Sequence, residues 1–310
     1  MLRGYILVLM AAVCWGVTGP FSKLAFSQGV QPMEIAFWRC VIPFAPFGLL
    51  ALRRGGLRGL RLEPRDRPYM LAFGLLCVAT FYGVYQMAIR EGGAALACVL
   101  MYTAPAWVAL MAWALLGEAM SRFKVAAVLA TLAGAAGVSG IFNSGGGHVT
   151  AAAVIFGLLS GLTYALYFIF GKRFLTRYST PVIFFHGLPV GALALWPLVD
   201  FTPKTPTAWM AIAVITIIST FSAYSFYYAG LRLLEATRAS VVATFEPVVA
   251  AALAFAWWGE RFDLAGYVGS ALILGSVVLI IWDGRRMARQ ALRAAGMDAN
   301  RPIVNDSEKA

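Results

Sequence analysis

Charge is scarce in this chain. Only 13% of its 310 residues are Asp, Glu, Lys or Arg, where a soluble domain carries about 25%, and 61% belong to the apolar set AVILMFWYC. So few charges cannot cover a water-soluble surface, which excludes a soluble enzyme or binding domain. Histidine occurs only as His148 and His186, and no H-E-x-x-H is present. The four cysteines, Cys14, Cys40, Cys77 and Cys98, fall inside apolar runs with no C-x-x-C spacing, so no disulfide framework is expected. A G-x-x-x-x-G-K-[ST] phosphate loop is also missing, since Gly171-Lys172 lacks the preceding glycine and the following Ser or Thr, and there is no G-x-S-x-G elbow. The expectation is therefore no catalytic residue at recognisable spacing, no metal site and no ATP chemistry. The net charge of +11 does not point to nucleic acid, because the basic residues sit between apolar runs rather than on a folded polar face.

Long apolar runs dominate instead. A spanning helix needs about 20 apolar residues to cross roughly 30 Å of hydrocarbon. Ten runs meet that length, at 4–26, 35–52, 69–89, 92–116, 123–142, 149–171, 181–199, 208–231, 236–258 and 264–282. They predict an all-α membrane protein of ten transmembrane helices, and are too long for the alternating segments of a membrane barrel. The first run is too long for a signal core, and Ser27-Gln28-Gly29-Val30-Gln31 offers no A-x-A cleavage site, so it is expected to remain as helix one.

The 25 Lys and Arg residues are distributed unevenly. Only Arg90, Lys204 and Arg261 fall on the face opposite the N-terminus, and Lys23 and Arg39 lie inside helices near their ends, where both are expected to snorkel. All the others lie on the N-terminal face, so both termini are expected in the cytoplasm. From 283 to 310 the chain is a basic tail: Arg285, Arg286, Arg289 and Arg293 surround Met287, Ala291 and Leu292, a pattern for a short helix on an anionic leaflet followed by disorder.

The sequence also repeats itself. Tyr82-Gly83-Val84-Tyr85 recurs as Tyr224-Ser225-Phe226-Tyr227, Arg90 as Arg232, Pro105 as Pro247 and Gly117-Glu118 as Gly259-Glu260, all at an offset of 142; Trp15-Gly16 and Lys23 pair more loosely with Tyr164-Ala165 and Lys172. Two repeats, 4–142 and 149–282, hold five helices each. An odd number turns the second copy upside down relative to the first. Such inverted repeats let two copies exchange conformations around a midplane site, the pattern of a secondary carrier. A duplication that only builds a stable intramembrane scaffold or enzyme is the alternative.

The ten-helix plan, Trp15-Gly16 with Lys23, the Ala/Thr-rich starts of helices four and nine and the paired Pro-x(11)-Gly-Glu segments resemble the EamA type of the drug/metabolite transporter superfamily over residues 4–282. Among its members the aromatic amino acid exporters of bacterial inner membranes look nearest. The resemblance implies an exporter of small metabolites, without an ATP site or bound cofactor, with both termini cytoplasmic. The expected partners are a small-molecule substrate, in the first place amino acids, and membrane lipid, with no nucleic acid; the monomer is the expected state. Cationic drugs or sugar phosphates are the alternative solutes.

Helix interruptions at matching positions of two repeats point to a carrier's binding site. Pro105 and Pro247 are such a pair, each removing a backbone hydrogen bond and freeing the carbonyl of Met101 or Ala243 for a hinge or cavity. Glu246 stands mid-helix, where a carboxylate costs about 2.5–3.5 kcal/mol, and is expected to bind a proton or a substrate ammonium, or to be held by Arg39 or a tyrosine. Its repeat partner is Ala104. Tyrosines and tryptophans normally sit at the interfaces, yet Trp15, Tyr82, Tyr85, Tyr102, Tyr164, Tyr224 and Tyr227 lie deep, with Gln86 beside Tyr85. Tyr82, Tyr85, Gln86 and Tyr224, Tyr227, Tyr228 each share a helix face and are expected to line a cavity. Small residues Ala126, Ala130, Gly134 and Gly137, and Gly266, Ser270 and Gly275, mark helices five and ten as closely packed and peripheral; Gly157 and Gly161 are expected to pack within the monomer.

The charge asymmetry is directly testable. A reporter fused to the C-terminus is expected to be active only on the cytoplasmic side; activity outside would overturn the orientation.

Overall fold

The computed structural model describes residues 2–138, 150–259 and 263–294. The ten helices are α1 (Leu2–Ser27), α2 (Pro32–Gly59), α3 (Pro64–Ile89), α4 (Leu96–Leu116), α5 (Arg122–Val138), α6 (Ala151–Phe174), α7 (Thr180–Leu198), α8 (Pro206–Leu231), α9 (Ala236–Trp257) and α10 (Leu264–Gln290). All but α5 are long and apolar enough to cross a bilayer over their described residues. α5 is described over 17 residues, about 25 Å of helix; its expected continuation to 142 lies outside the described residues. So do His148, Glu260, Arg261 and the tail beyond 294. Several helices outrun their apolar stretches, because a helix continues through the headgroup region where exposed arginines such as Arg53 and Arg54 face water. α10 is helical to Ala294, past residue 283.

Neighbour relations reveal the two-fold plan. α1 packs on α8 as α6 packs on α3, α9 lies on α1 as α4 lies on α6, and α2–α7 and α5–α10 pair across the axis. Backbone irregularities recur with it. α3 widens into π-helical turns at Phe73–Thr80 and α8 at Ile217–Ser222. α4 stops at Met101 and restarts as Ala104–Leu116, and α9 stops at Ala243 and restarts as Glu246–Trp258. These restarted segments have 13 residues each and lie 142 apart at both ends. Each closes on a left-handed glycine, Gly117 at φ 69° and Gly259 at φ 67°, a conformation in which a side chain would strain the backbone.

The prolines act differently from the expected kink. Pro105 and Pro247 occupy the second position of the restarted segments, where a missing N–H leaves no helical bond unmade. The break precedes them, at Tyr102–Thr103 and Thr244–Phe245. There the Thr103 hydroxyl donates to Leu100 O at 2.6 Å and the Thr244 hydroxyl to Val241 O at 2.5 Å.

α5 and α10 meet backbone to backbone. A Cβ on Gly269 would lie 2.5 Å from Gly134 O, and one on Gly137 would lie 2.5 Å from Ala265 O. Gly275, in contrast, faces open space, so it does not serve the packing expected of it, while Gly269 does. Gly157 and Gly161 pack against Leu100 and Thr103 of α4, within the monomer. Gly269→Val is expected to force the pair apart at a cost of about 1–3 kcal/mol, read as a lower unfolding midpoint of the purified protein, while Gly275→Val leaves the midpoint near that of the parent. Equal midpoints for both variants would contradict this packing.

Candidate functional site

The π-helical turns end where the two tyrosine stripes begin. A π turn inserts an extra residue and rotates the following face, and Phe81 and Tyr82 follow one such turn as Ala223 and Tyr224 follow the other. Both stripes thereby turn toward the centre. Trp15 of α1 meets Tyr224 edge-on at 5.4 Å and Tyr227 at 5.3 Å. Tyr224 stacks on Tyr167 of α6 at 5.4 Å, and Tyr164 stacks on Phe81 at 5.0 Å. All lie within the 4.5–7 Å of productive ring pairs. Trp15, Tyr82, Tyr102, Tyr164, Tyr224 and Tyr227 are buried, whereas Tyr85, Gln86 and Glu246 are half-buried. Of the two stripes, Tyr228 is the exception in role: its hydroxyl donates to Tyr167 O at 2.9 Å and fixes α8 against α6. The Tyr227 hydroxyl is buried without a hydrogen-bond partner among the described residues.

Arg39 departs from its expected snorkelling. Its Nε donates to the Thr220 hydroxyl at 3.1 Å and its guanidinium lies over the Tyr82 ring at 5.0 Å. The physical reason is the π turn at Ile217–Ser222, which presents Thr220 to α2 as an acceptor deep in the bundle. Lys23, in contrast, is exposed near the end of α1. Glu246 opens the restarted half of α9, and the Tyr102 hydroxyl at the matching break of α4 is within its hydrogen-bonding reach. A helix N-terminus returns about 0.3–1 kcal/mol to a carboxylate, less than the burial cost, so Tyr102 and the field of Arg39 are needed as well. Arg39 and Glu246 feel each other's charge without closing into an ion pair among the described residues. Sequence reading missed Phe81 and Phe168 as members of this aromatic cluster and expected Arg39 to snorkel. The 164/167/168 spacing on α6 carried a signal, since it repeats that of 224/227/228 on α8.

A polar seal closes the face that bears the N-terminus. Glu118, from the Gly117-Glu118 motif, accepts from Ala236 N at 2.5 Å, Thr237 N at 3.2 Å and the Thr237 hydroxyl at 2.8 Å, capping α9. Beside it Lys124 pairs with Glu235 at 3.0 Å, and Arg238 pairs with Glu235 and, at 3.0 Å, with Asp283 of α10. Lys172 of α6 donates to Leu231 O at 2.7 Å and Leu234 O at 2.5 Å. On the opposite face Glu34 of α2 pairs with Lys204 and accepts from the Thr202 hydroxyl at 3.0 Å.

The sequence pattern of the EamA-like transporter family matches this chain twice, over residues 2–140 and 151–282. An "Uncharacterized inner membrane transporter YicL" of Salmonella typhimurium is 27% identical over 303 residues, covering 93% of this chain and 98% of its own. An "Uncharacterized transporter" of Archaeoglobus fulgidus is 28% identical over 282 residues, covering 91% and 97%. A solved crystal structure, 21% identical, superimposes with a TM-score of 0.78 over 92% of this chain and 98% of that one, a likeness of fold.

Closure of the sealed face depends on pH with a definite sign. Burial raises the Glu235 carboxyl, but Arg238 and Lys124 outweigh it and hold the group below its ordinary range. A depressed carboxylate stabilises the folded state above the unfolded value of about 4.3 and loses that contribution as pH falls through the lower folded value. The unfolding midpoint is therefore expected to drop on acidification below about pH 4.3, and Glu235→Gln to be less stable at neutral pH with a shallower acid limb. A variant whose midpoint tracks the parent at every pH would show that Glu235 contributes nothing to the seal.

Proposed function

The chain belongs to the EamA-like transporter family, and on that premise we propose that it exports amino acids or similar small amphipathic metabolites across a bacterial inner membrane, by alternating access and without ATP hydrolysis. It is a multi-pass membrane protein; the charge asymmetry supports cytoplasmic termini. The observation that carries the substrate class is the arrival of opposite charges, Arg39 from α2 and Glu246 from α9, in one aromatic chamber without mutual neutralisation. A zwitterion fits that arrangement. Its carboxylate takes a charge-assisted hydrogen bond from Arg39, and its ammonium goes to Glu246 and the ring faces of neighbouring tyrosines. The side chain lies on the wall of Trp15, Tyr82, Tyr85, Tyr164, Tyr224 and Tyr227, with Tyr102 and Gln86 at its edge. A flat aromatic wall tolerates many side chains, giving broad specificity. A purely cationic solute would bring Arg39 no anionic partner, which favours amino acids over cationic drugs.

The breaks before Pro105 and Pro247 are the hinges of this reading. Two short helical halves, each freed from its predecessor, can swing about Tyr102–Thr103 and Thr244–Phe245, and equivalent swings in the two repeats open opposite faces. Glu246 is the group through which a proton gradient would couple.

Efflux from loaded liposomes holding the purified protein tests this, with a panel of amino acids, their decarboxylated amines, cationic dyes and sugar phosphates, with and without a pH gradient. Amino acids are expected to move. Arg39→Gln is expected to weaken amino acid handling roughly tenfold or more, the worth of one charge-assisted bond, while sparing the amines. Glu246→Gln is expected to slow transport and change its pH dependence with folding retained, and Tyr82→Ala or Tyr224→Ala to reorder solute preference. Movement of none of the panel overturns the carrier reading; equal effects of Arg39→Gln on amino acids and amines overturn the site.

A further inference from the structure

A second pocket lies on the terminus-bearing face, where the ends of α2, α3 and α7 converge. It encloses about 580 Å³, with Arg61 and Arg67 at its rim, His186 on one wall and Leu62, Leu71 and Val190 among its apolar lining. Its shape is set by a specific contact. The His186 Nε2 lies 2.7 Å from Leu60 O, and since a carbonyl only accepts, the ring donates and ties the α2–α3 connection to α7. Tyr178 secures the same connection from the other side, its hydroxyl receiving Glu63 N at 3.1 Å and donating to Asp66 at 2.7 Å.

The charges around this pocket are unbalanced. The connection holds two carboxylates and both are engaged elsewhere, Glu63 with Arg65 at 2.6 Å and Asp66 with Arg177 at 3.0 Å. Arg61 and Arg67 are exposed and have no carboxylate partner among the described residues. The lining also changes along the helix axis. Arg61 and Arg67 stand at the level of the connection, His186 is six residues into α7, about 9 Å along it, and Val190 about 15 Å. Leu71 is 51% exposed on the outer surface, so the deep part opens sideways, where acyl chains lie. A basic mouth over an apolar trough that opens into the bilayer matches a ligand with an anionic head and a hydrocarbon tail.

We propose that this pocket binds an anionic phospholipid, its phosphate between Arg61 and Arg67 and the upper part of one acyl chain along Leu71 and Val190. A free phosphate would use the arginines but not the apolar trough. The bound lipid clamps the α2–α3 connection to α7, the helix that pairs with α2 across the two-fold axis. Each interfacial arginine strengthens attachment to an anionic lipid roughly fivefold, so removing both is expected to weaken binding about 25-fold relative to the parent.

Thermal unfolding of the full chain in neutral detergent provides the test, with dioleoyl phosphatidylglycerol, dioleoyl phosphatidylcholine or inorganic phosphate added. Phosphatidylglycerol is expected to raise the midpoint of the parent protein, and the other two to leave it unchanged. In Arg61→Gln/Arg67→Gln that rise should fall to the phosphatidylcholine level, while Arg285→Gln/Arg289→Gln, which removes two exposed charges from the basic end of α10, should keep it. Leu71→Asp keeps both arginines, places a carboxylate in the trough at an exposed position, and should abolish the rise as well. A rise that survives in the arginine pair or in Leu71→Asp overturns the proposal. So does loss of the rise in the α10 control, which would mean diffuse surface charge, and so does an equal rise with inorganic phosphate, which would mean a free-anion site.

Discussion

Hydrocarbon offers no hydrogen bonds, so every backbone N–H and C=O inside a bilayer must find its partner within the protein. An unbroken helix meets that requirement automatically, and a departure from it is tolerated only where other groups supply the bonds. Among the described residues the chain departs from it in the π turns of α3 and α8 and the breaks of α4 and α9, and α1 is also interrupted, at Val17. At the breaks of α4 and α9 the Thr103 and Thr244 hydroxyls return to carbonyls of the turns they interrupt; in the second π turn the Ser219 hydroxyl donates to Cys14 O of α1, and the Thr220 side chain accepts from Arg39. The aromatic cluster lies where these irregular segments converge. The packing of its rings, the placement of Arg39 and Glu246 and the proposed hinges all follow from where the backbone is allowed to be irregular.

How much of this was legible in the sequence depended on whether the information was one-dimensional. Spanning length is, and the ten runs correspond to the ten helices. The 142-residue offset is too, and it reappears in the restarted segments and their closing glycines. Pro105 and Pro247 marked the broken helices correctly, yet a proline does not say which bond is lost, and the actual break falls two residues earlier because a proline fits best in a helix's first turn. Rotation about a helix axis leaves no such trace. A π turn has no residue signature, so although the two tyrosine stripes were expected to face inward, neither the turns that aim them nor the acceptor that draws Arg39 inward could be read off. The bland expectation for an arginine near a helix end was snorkelling, and tertiary structure overrode it. Glu118 was visible as half of a repeated motif, but its partner, the start of α9, lies 118 residues away.

The two-fold symmetry of the backbone is not matched by the charges. Glu246 corresponds to Ala104, and the seal around Glu118, Lys124, Glu235, Arg238 and Asp283 gathers on one face. Under the proposed cycle this division is useful. Similar backbones give the two repeats similar conformations to exchange, while a single pair of charges lets a zwitterion bind in one orientation in both states. Symmetric charges would double the buried carboxylates, each at several kcal/mol, for no gain in recognition.

An unequal seal also bears on the balance of states. A carrier must populate both conformations, and a difference of about 5.5 kcal/mol between them would leave one almost empty. Breaking a single buried ion pair costs about 3–5 kcal/mol when one partner is left uncompensated, so opening the sealed face requires that its charges find water or new partners as they separate. Their position permits this. Glu235 lies at the edge of the seal with its side chain 38% exposed, so water reaches it first, whereas the Arg238–Asp283 pair beside it is buried, at 6% and 1%. The Glu34–Lys204 pair on the opposite face is almost fully buried, at 0% and 6%, and links α2 to the connection before α8. Under the proposed cycle the half-exposed Glu235 is the point at which water enters the first seal, whereas the Glu34–Lys204 pair must find new partners before its own face can open.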